Sequence, residues 1–215
     1  MILANQDGSV MVYLVENGTV EVRVPAVTRT SGGPVYTTEI KPAYDMYIQA
    51  NGKVYANYDS SFWFAFLINL TEINNIENLD TSYVTNMSGL FCYSGSLVNL
   101  DVSHFDTSNV TNMMDMFANA FSLATLDVSH FDTSNVTDMN EMFYGADSLT
   151  TLDLSNFDTS NVTDMSSMFS GDKALTSIIY GSKFIHANNA YVDYMFKSCP
   201  ANRPTDPSWE GLDLD

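Results

Sequence analysis

The side chains that could do chemistry in this sequence recur at one interval. Asp101, Asp127 and Asp153 stand 26 residues apart, and so do Asp80, Asp106, Asp132 and Asp158. If the repeats stack, each set becomes a column of carboxylates about 5 Å apart. Neighbouring charges at that distance repel by roughly 0.8 kcal/mol in water. A hard cation would relieve that repulsion, since Ca²⁺ takes oxygen ligands from carboxylates and carbonyls. Asp106, Asp132 and Asp158 are therefore the candidate calcium ligands, and no other cofactor is implied. A second reading needs no ion: each aspartate of the D-T-S-N phrase accepts a hydrogen bond from its own backbone two residues on, as an Asx-turn. His104 and His130 lie one repeat apart, each in S-H-F-D, and could form a metal-binding or pH-sensitive pair. Asn156 takes that place in the third copy, which suits a hydrogen-bonding surface role equally. Catalysis needs one unique constellation, whereas every polar cluster here occurs in near-copies, and no GxSxG, HExxH or phosphate-loop pattern is present. The chemistry points away from an enzyme.

Charge narrows the partners. The 215 residues carry 26 acidic and 8 basic side chains, a net charge of −18, and 45% are hydrophobic. A chain this acidic cannot neutralise phosphates, so nucleic acid is excluded, while the apolar content suffices for a core. Residues 54–172 hold 16 acids and no Lys or Arg, against a net −1 on either side. No stretch has the roughly 20 apolar residues of a membrane helix, and the first residues lack the pattern of an export signal. Cys92 and Cys199 are too few for a disulfide framework.

The acidic segment is a tandem repeat, read as Leu97–Asn119, Leu123–Gly145 and Leu149–Gly171, with looser copies before and after. The front half of each unit, L-x-x-L-x-V-x-x-F, predicts a short strand and a turn inward. In the back half Val136, Met139, Met142 and Phe143 fall at steps of three, three and one, which predicts one face of a two-turn helix. Thr85, Thr111, Thr137 and Thr163 would cap those helices, Asp138 and Asp164 would sit in their first turns, and Gly145, Gly171 and Asn119 would close them. The expected fold is an α/β repeat, an LRR-like solenoid of five rungs with a strand and a short helix in each 26-residue rung. Phe91, Phe117, Phe143, Phe169 and Phe196 should align through its interior.

Residues 1–58 do not repeat. Their alternating runs are separated by Asp7-Gly8, Asn17-Gly18 and Asn51-Gly52, pairs favoured in two-residue hairpins, with a loop at Ser31–Pro34. An N-terminal antiparallel β unit is expected, serving as a cap or an attachment module. Residues 59–198 form the repeat region and 199–215 an irregular C-terminal cap or tail, with Trp209 folded onto the last rung.

The phrase LDxSxFDTSNVTxMxxMF resembles the repeat of the BspA-like leucine-rich-repeat surface proteins over roughly residues 60–198. The resemblance implies surface recognition or adhesion without catalysis, located at the cell surface or outside the cell, with a protein or glycan partner. The alternative is a phage or virus structural protein, part of a head or tail fibre, a decoration or a receptor binder, attached to other virion proteins through its N-terminal β unit. Either could assemble with further copies. A specific binding face must differ from rung to rung. Two sets of positions qualify: the acidic strand face of Asn99, Asp101, Thr125, Asp127, Thr151 and Asp153, and the helix-exit residues Tyr93, Phe121, Tyr144 and Lys173.

Overall fold

The computed structural model describes residues 10–30, 33–50, 54–187 and 189–215; within the first two strands it describes the side chains of Asp45, Met46 and Ile48. β1 (Val10–Thr30) and β2 (Gly33–Ala50) pair antiparallel from Val10↔Ala50 to Thr30↔Gly33. Asn17-Gly18 does not turn the chain as expected. It lies inside β1, where the register slips between Glu16 and Gly18, because a bulge can absorb an extra residue without reversing the strand. The expected turns at Asp7-Gly8 and Asn51-Gly52, and the Ser31-Gly32 half of the expected loop, lie outside the described residues.

From β2 the pairing becomes parallel. Tyr44–Tyr47 of β2 pair with β4 (Leu70–Asn74), β3 (Val54–Tyr55) pairs with β5 (Leu79–Asp80), and β6 (Thr151–Leu154) pairs with β7 (Ser177–Tyr180). The expected α/β repeat with a helix in every rung is not what forms. Among the described residues there is no α-helix, only two short 3₁₀ turns, and beyond the β1–β2 ribbon the strands are two to five residues long. Thr111, Thr137 and Thr163 are therefore not helix caps. Each donates its N–H and its hydroxyl to the carbonyl of the threonine one rung earlier, at 2.8 Å and 3.0–3.1 Å.

The back half of each rung is a chain of β-turns instead. In one rung Met116, Ala118 and Ala120 donate to Met113, Asp115 and Phe117 within the turn, while Met113, Asp115, Phe117 and Asn119 donate to Asp138, Asn140, Met142 and Tyr144 of the next rung. Alternate N–H groups thus close the turn and tie the stack. Two residues four apart hold the left-handed conformation that this path needs and a helix forbids: Asp115 and Asn119, Glu141 and Gly145, Ser167 and Gly171. The three-three-one apolar spacing survives because residues at the inner corners of successive turns recur much as they would on a helix face.

The inner corners build the core. Phe64, Phe91, Phe117, Phe143, Phe169 and Phe196 stack with centroids 5.0–5.8 Å apart, and mark rungs one to six. Rung one, whose turn spans Ser60–Phe66, donates from Ser60, Phe62, Phe64 and Phe66 to Asn86, Ser88, Leu90 and Cys92. Val110, Met113, Met116 and their equivalents are fully buried beside the column. At the far end Trp209 stacks on Phe184 at 5.5 Å and donates its indole N–H to the Phe184 carbonyl.

Candidate binding face

Each D-T-S-N corner forms its own fixed unit. Oδ1 of Asp106, Asp132 and Asp158 accepts the backbone N–H of Ser108, Ser134 and Ser160 at 3.0–3.1 Å, and the serine hydroxyl at 2.6 Å. These bonds stabilise the ionised carboxylate, so Asp132 lies below the usual carboxyl range; Asp158 does so chiefly through Lys183, 2.8 Å away, and then Ser160. Thr107 and Thr133 are buried. Each hydroxyl donates to the carbonyl of the next rung's aspartate at 3.0–3.1 Å and accepts that residue's N–H at 2.7–2.8 Å. Asn109, Asn135 and Asn161 reach back to the serine carbonyl of the preceding rung at 2.7–2.9 Å. All four residue types of the phrase are thus engaged in folding and stacking. Among the described residues no three His, Cys, Asp or Glu side chains come together as metal ligands.

The acidic face expected from the front half of the rung exists as a surface, although only Thr151 and Asp153 lie on a strand. Asn99, Asp101, Thr125, Asp127 and Thr151 are exposed and Asp153 is half-buried. Asp101, Asp127 and Asp153 each accept the N–H two residues on at 2.9–3.0 Å, so their outer oxygens form an ordered row. His104 and His130 set their rings edge-on against Phe105 and Phe131, 5.0 Å away, and burial pushes His104 below the usual imidazole range. Cys92 and Cys199 are buried free thiols, pushed up by burial to about 12 and about 11, and so are chemically quiet.

The turn face carries the variable side chains. Tyr93 stacks on Phe66, 5.2 Å away and nearly coplanar. Tyr93 and Tyr144 border a hollow of about 660 Å³, together with Glu141, Ser167, Ser170, Gly171, Lys173, Tyr194, Lys197 and Ser198. Phe121 stays outside it and packs across Gly95, where an added Cβ would come 2.9 Å from the ring. Tyr194 and Lys197, which the sequence did not single out, complete the hollow, and Lys197 holds its ammonium 4.6 Å above the Tyr194 ring. Their signal was present: in the last copy they replace Ser167 and Ser170 of the copy before.

Beside the hollow, burial and then the neighbouring Glu141 push Asp115 up to about 6, and burial also raises Asp138. Asp172 is buried deeper, where the preceding rungs have Ala120 and Ala146. One oxygen accepts the Ala146 N–H at 2.8 Å and the other has no partner, and its carboxyl is pushed well up by that burial.

No curated protein and no solved structure matches the chain. One family model does, over residues 60–181 and again over 122–210, which takes in the stacked rungs from the first to the last. The chain therefore belongs to the family described as Mycoplasma protein of unknown function, DUF285.

Proposed function

We propose that this is a non-enzymatic recognition or adhesion protein of the cell surface, binding a protein or glycan partner through side chains that differ from rung to rung. The observation that carries this reading is a division of labour. The polar residues of the D-T-S-N phrase, repeated in register, bond one rung to the next, whereas the hollow is bordered by side chains that change from rung to rung, Tyr144, Tyr194 and Lys197 among them. A polar side chain already holding the stack is unavailable for chemistry, and one that varies can specify a ligand. The resemblance of the repeat to BspA-like surface proteins supports the same reading. The ordered row of Asp101, Asp127 and Asp153 would add attraction for a basic partner.

A second reading, a phage or virus structural protein docked by its N-terminal unit, is favoured by the β1–β2 ribbon. Among the described residues it joins the repeat region through the pairing of Tyr44–Tyr47 with β4 and through Asn78, which donates to the Ile48 carbonyl at 3.2 Å. The two separate by experiment. Fluorescently labelled full-length protein added to a panel of intact cells should bind saturably, and Tyr194→Ala should weaken that binding. Absence of saturable binding, with a stable complex to capsid or tail proteins on co-expression, would establish the second reading instead.

A further inference from the structure

The hollow on the turn face exists because one rung is missing its bulk. In rung four the turn reads Met139 to Gly145 and carries Glu141 and Tyr144; in rung six it reads Val192 to Ser198 and carries Tyr194 and Lys197. Rung five, between them, reads M-S-S-M-F-S-G and places Ser167 and Ser170 at the same two positions. The ladder fixes the alignment: Gly145 donates to Ser170, Ser167 to Asp193, Phe169 to Met195 and Gly171 to Lys197. A gap at rung five results, its floor lined by serine and glycine, and the hollow continues past Tyr144 as far as Tyr93 of rung two.

We infer that this gap is a saccharide-binding site that takes one neutral pyranose unit against the Tyr194 ring, over Ser167 and Ser170; the inference rests on the recognition reading above and names its ligand class. Size agrees. Rungs four and six are two strand spacings apart, ~10 Å, which leaves room for one saturated ring at van der Waals contact of ~4 Å on each side, with Glu141 facing Tyr194 at one position and Tyr144 facing Lys197 at the other. Chemistry agrees as well. A pyranose presents apolar C–H faces, which suit tyrosine rings, and a rim of hydroxyls that both donate and accept. The gap offers Ser167 and Ser170 below, Lys197 as a donor and Glu141 as an acceptor, while Lys173 at its rim is paired with Asp147 at 3.3 Å. An anionic ligand would meet Glu141 and the net charge of −18. A lipid would find no apolar enclosure.

The walls are also held in place. Lys197 covers the Tyr194 ring at 4.6 Å, and Tyr194 is 54% exposed, so the ring is set but accessible. Glu141, Ser167, Tyr194 and Ser198 all hold left-handed backbone, with φ of 54–60°, although none is glycine. The same two positions are left-handed in the other rungs, so the stack itself fixes the backbone on which these side chains stand.

The test is saturation-transfer NMR on the full chain with the methyl glycosides of galactose, mannose and N-acetylglucosamine as probes. At least one should receive saturation at its ring protons. Ser167→Tyr should abolish the transfer by filling the gap; the substitution copies the residue that rung six already tolerates at this backbone position, and an unchanged thermal midpoint would show that the fold is kept. Tyr194→Ala should weaken binding at least tenfold, and Tyr58→Ala, an exposed tyrosine away from the gap, should leave it unchanged. No transfer to any of the three glycosides, or transfer that persists in Ser167→Tyr, would overturn the inference. Binding of labelled protein to cells separates this from the broader reading. Binding that survives periodate oxidation of the surface glycans but is lost after protease treatment keeps recognition and overturns the saccharide, whereas loss after periodate supports it.

Discussion

At the scale of single residues, the D-T-S-N phrase is an instruction for stacking. Thr133 is buried and links its rung to Asp158 through both the carbonyl and the N–H of that residue. Thr133→Val keeps the shape but leaves both groups unbonded, and should cost about 2–3 kcal/mol in chemical denaturation. Ser134→Ala, at the surface of the same corner, should stay within about 0.5 kcal/mol. Asp115 gives a pH signature. Its folded pKa is raised from 3.8 to about 6 by burial and Glu141, so the folded state holds a proton that the unfolded state has lost. The resulting stability is complete below about pH 4, falls as pH rises toward 6 and is absent above. Asp115→Asn should therefore gain thermal midpoint relative to wild type as pH rises from 4 to 6, and the difference should then level off; a constant difference across that range would contradict the assignment. The sequence showed these aspartates and threonines as recurrent, and it showed two possible uses for them. It could not choose between them, because the threonine's partners lie 25 residues away and only the register of the stack brings them together.

At the scale of elements, the repeat length and the phenylalanine column were legible because a 26-residue period leaves one way to align the copies. The helix was not. Val136, Met139, Met142 and Phe143 satisfy a helix face and a run of β-turns alike, and the residue that decides, Glu141 at φ 54°, is an ordinary helix former. Its left-handed conformation is imposed by the N–H it gives to Ser166 of the next rung, a tertiary term that local propensity cannot contain. Rung one was missed because Ser60 and Trp63 stand where rung three has Met113 and Met116, and because Phe64 lies 27 residues before Phe91. If the rung is the unit of construction, deleting residues 122–147 should leave a folded protein, less stable by one rung's contribution. Deleting 122–146 should abolish cooperative unfolding, since every following residue would lose its partner. Gly145→Ala should cost about 1 kcal/mol, because φ is +65° and the new Cβ would meet Asn119 Oδ1 at 3.0 Å.

At the scale of the whole molecule, a stack with 16 acids and no Lys or Arg over residues 54–172 repels itself. Screening should raise its thermal midpoint as NaCl increases from 20 to 500 mM. With the aspartates serving their own turns, calcium at matched ionic strength should add nothing further; an extra rise would assign Asp106, Asp132 and Asp158 as cation ligands. The candidate site was legible in part. Repetition marks what is architectural, so candidate binding residues are sought where the copies differ. Tyr93 and Tyr144 were visible in that way, while Tyr194 and Lys197 were hidden in the most degenerate copy. All of this depends on rungs built from β-turns and joined by a backbone ladder. The most direct measurement is the set of backbone chemical shifts over residues 110–171. Left-handed shifts at Asp115, Asn119, Glu141, Gly145, Ser167 and Gly171, interrupting any helical run, are the expected result. Four or more consecutive helical shifts within residues 136–144 would contradict it.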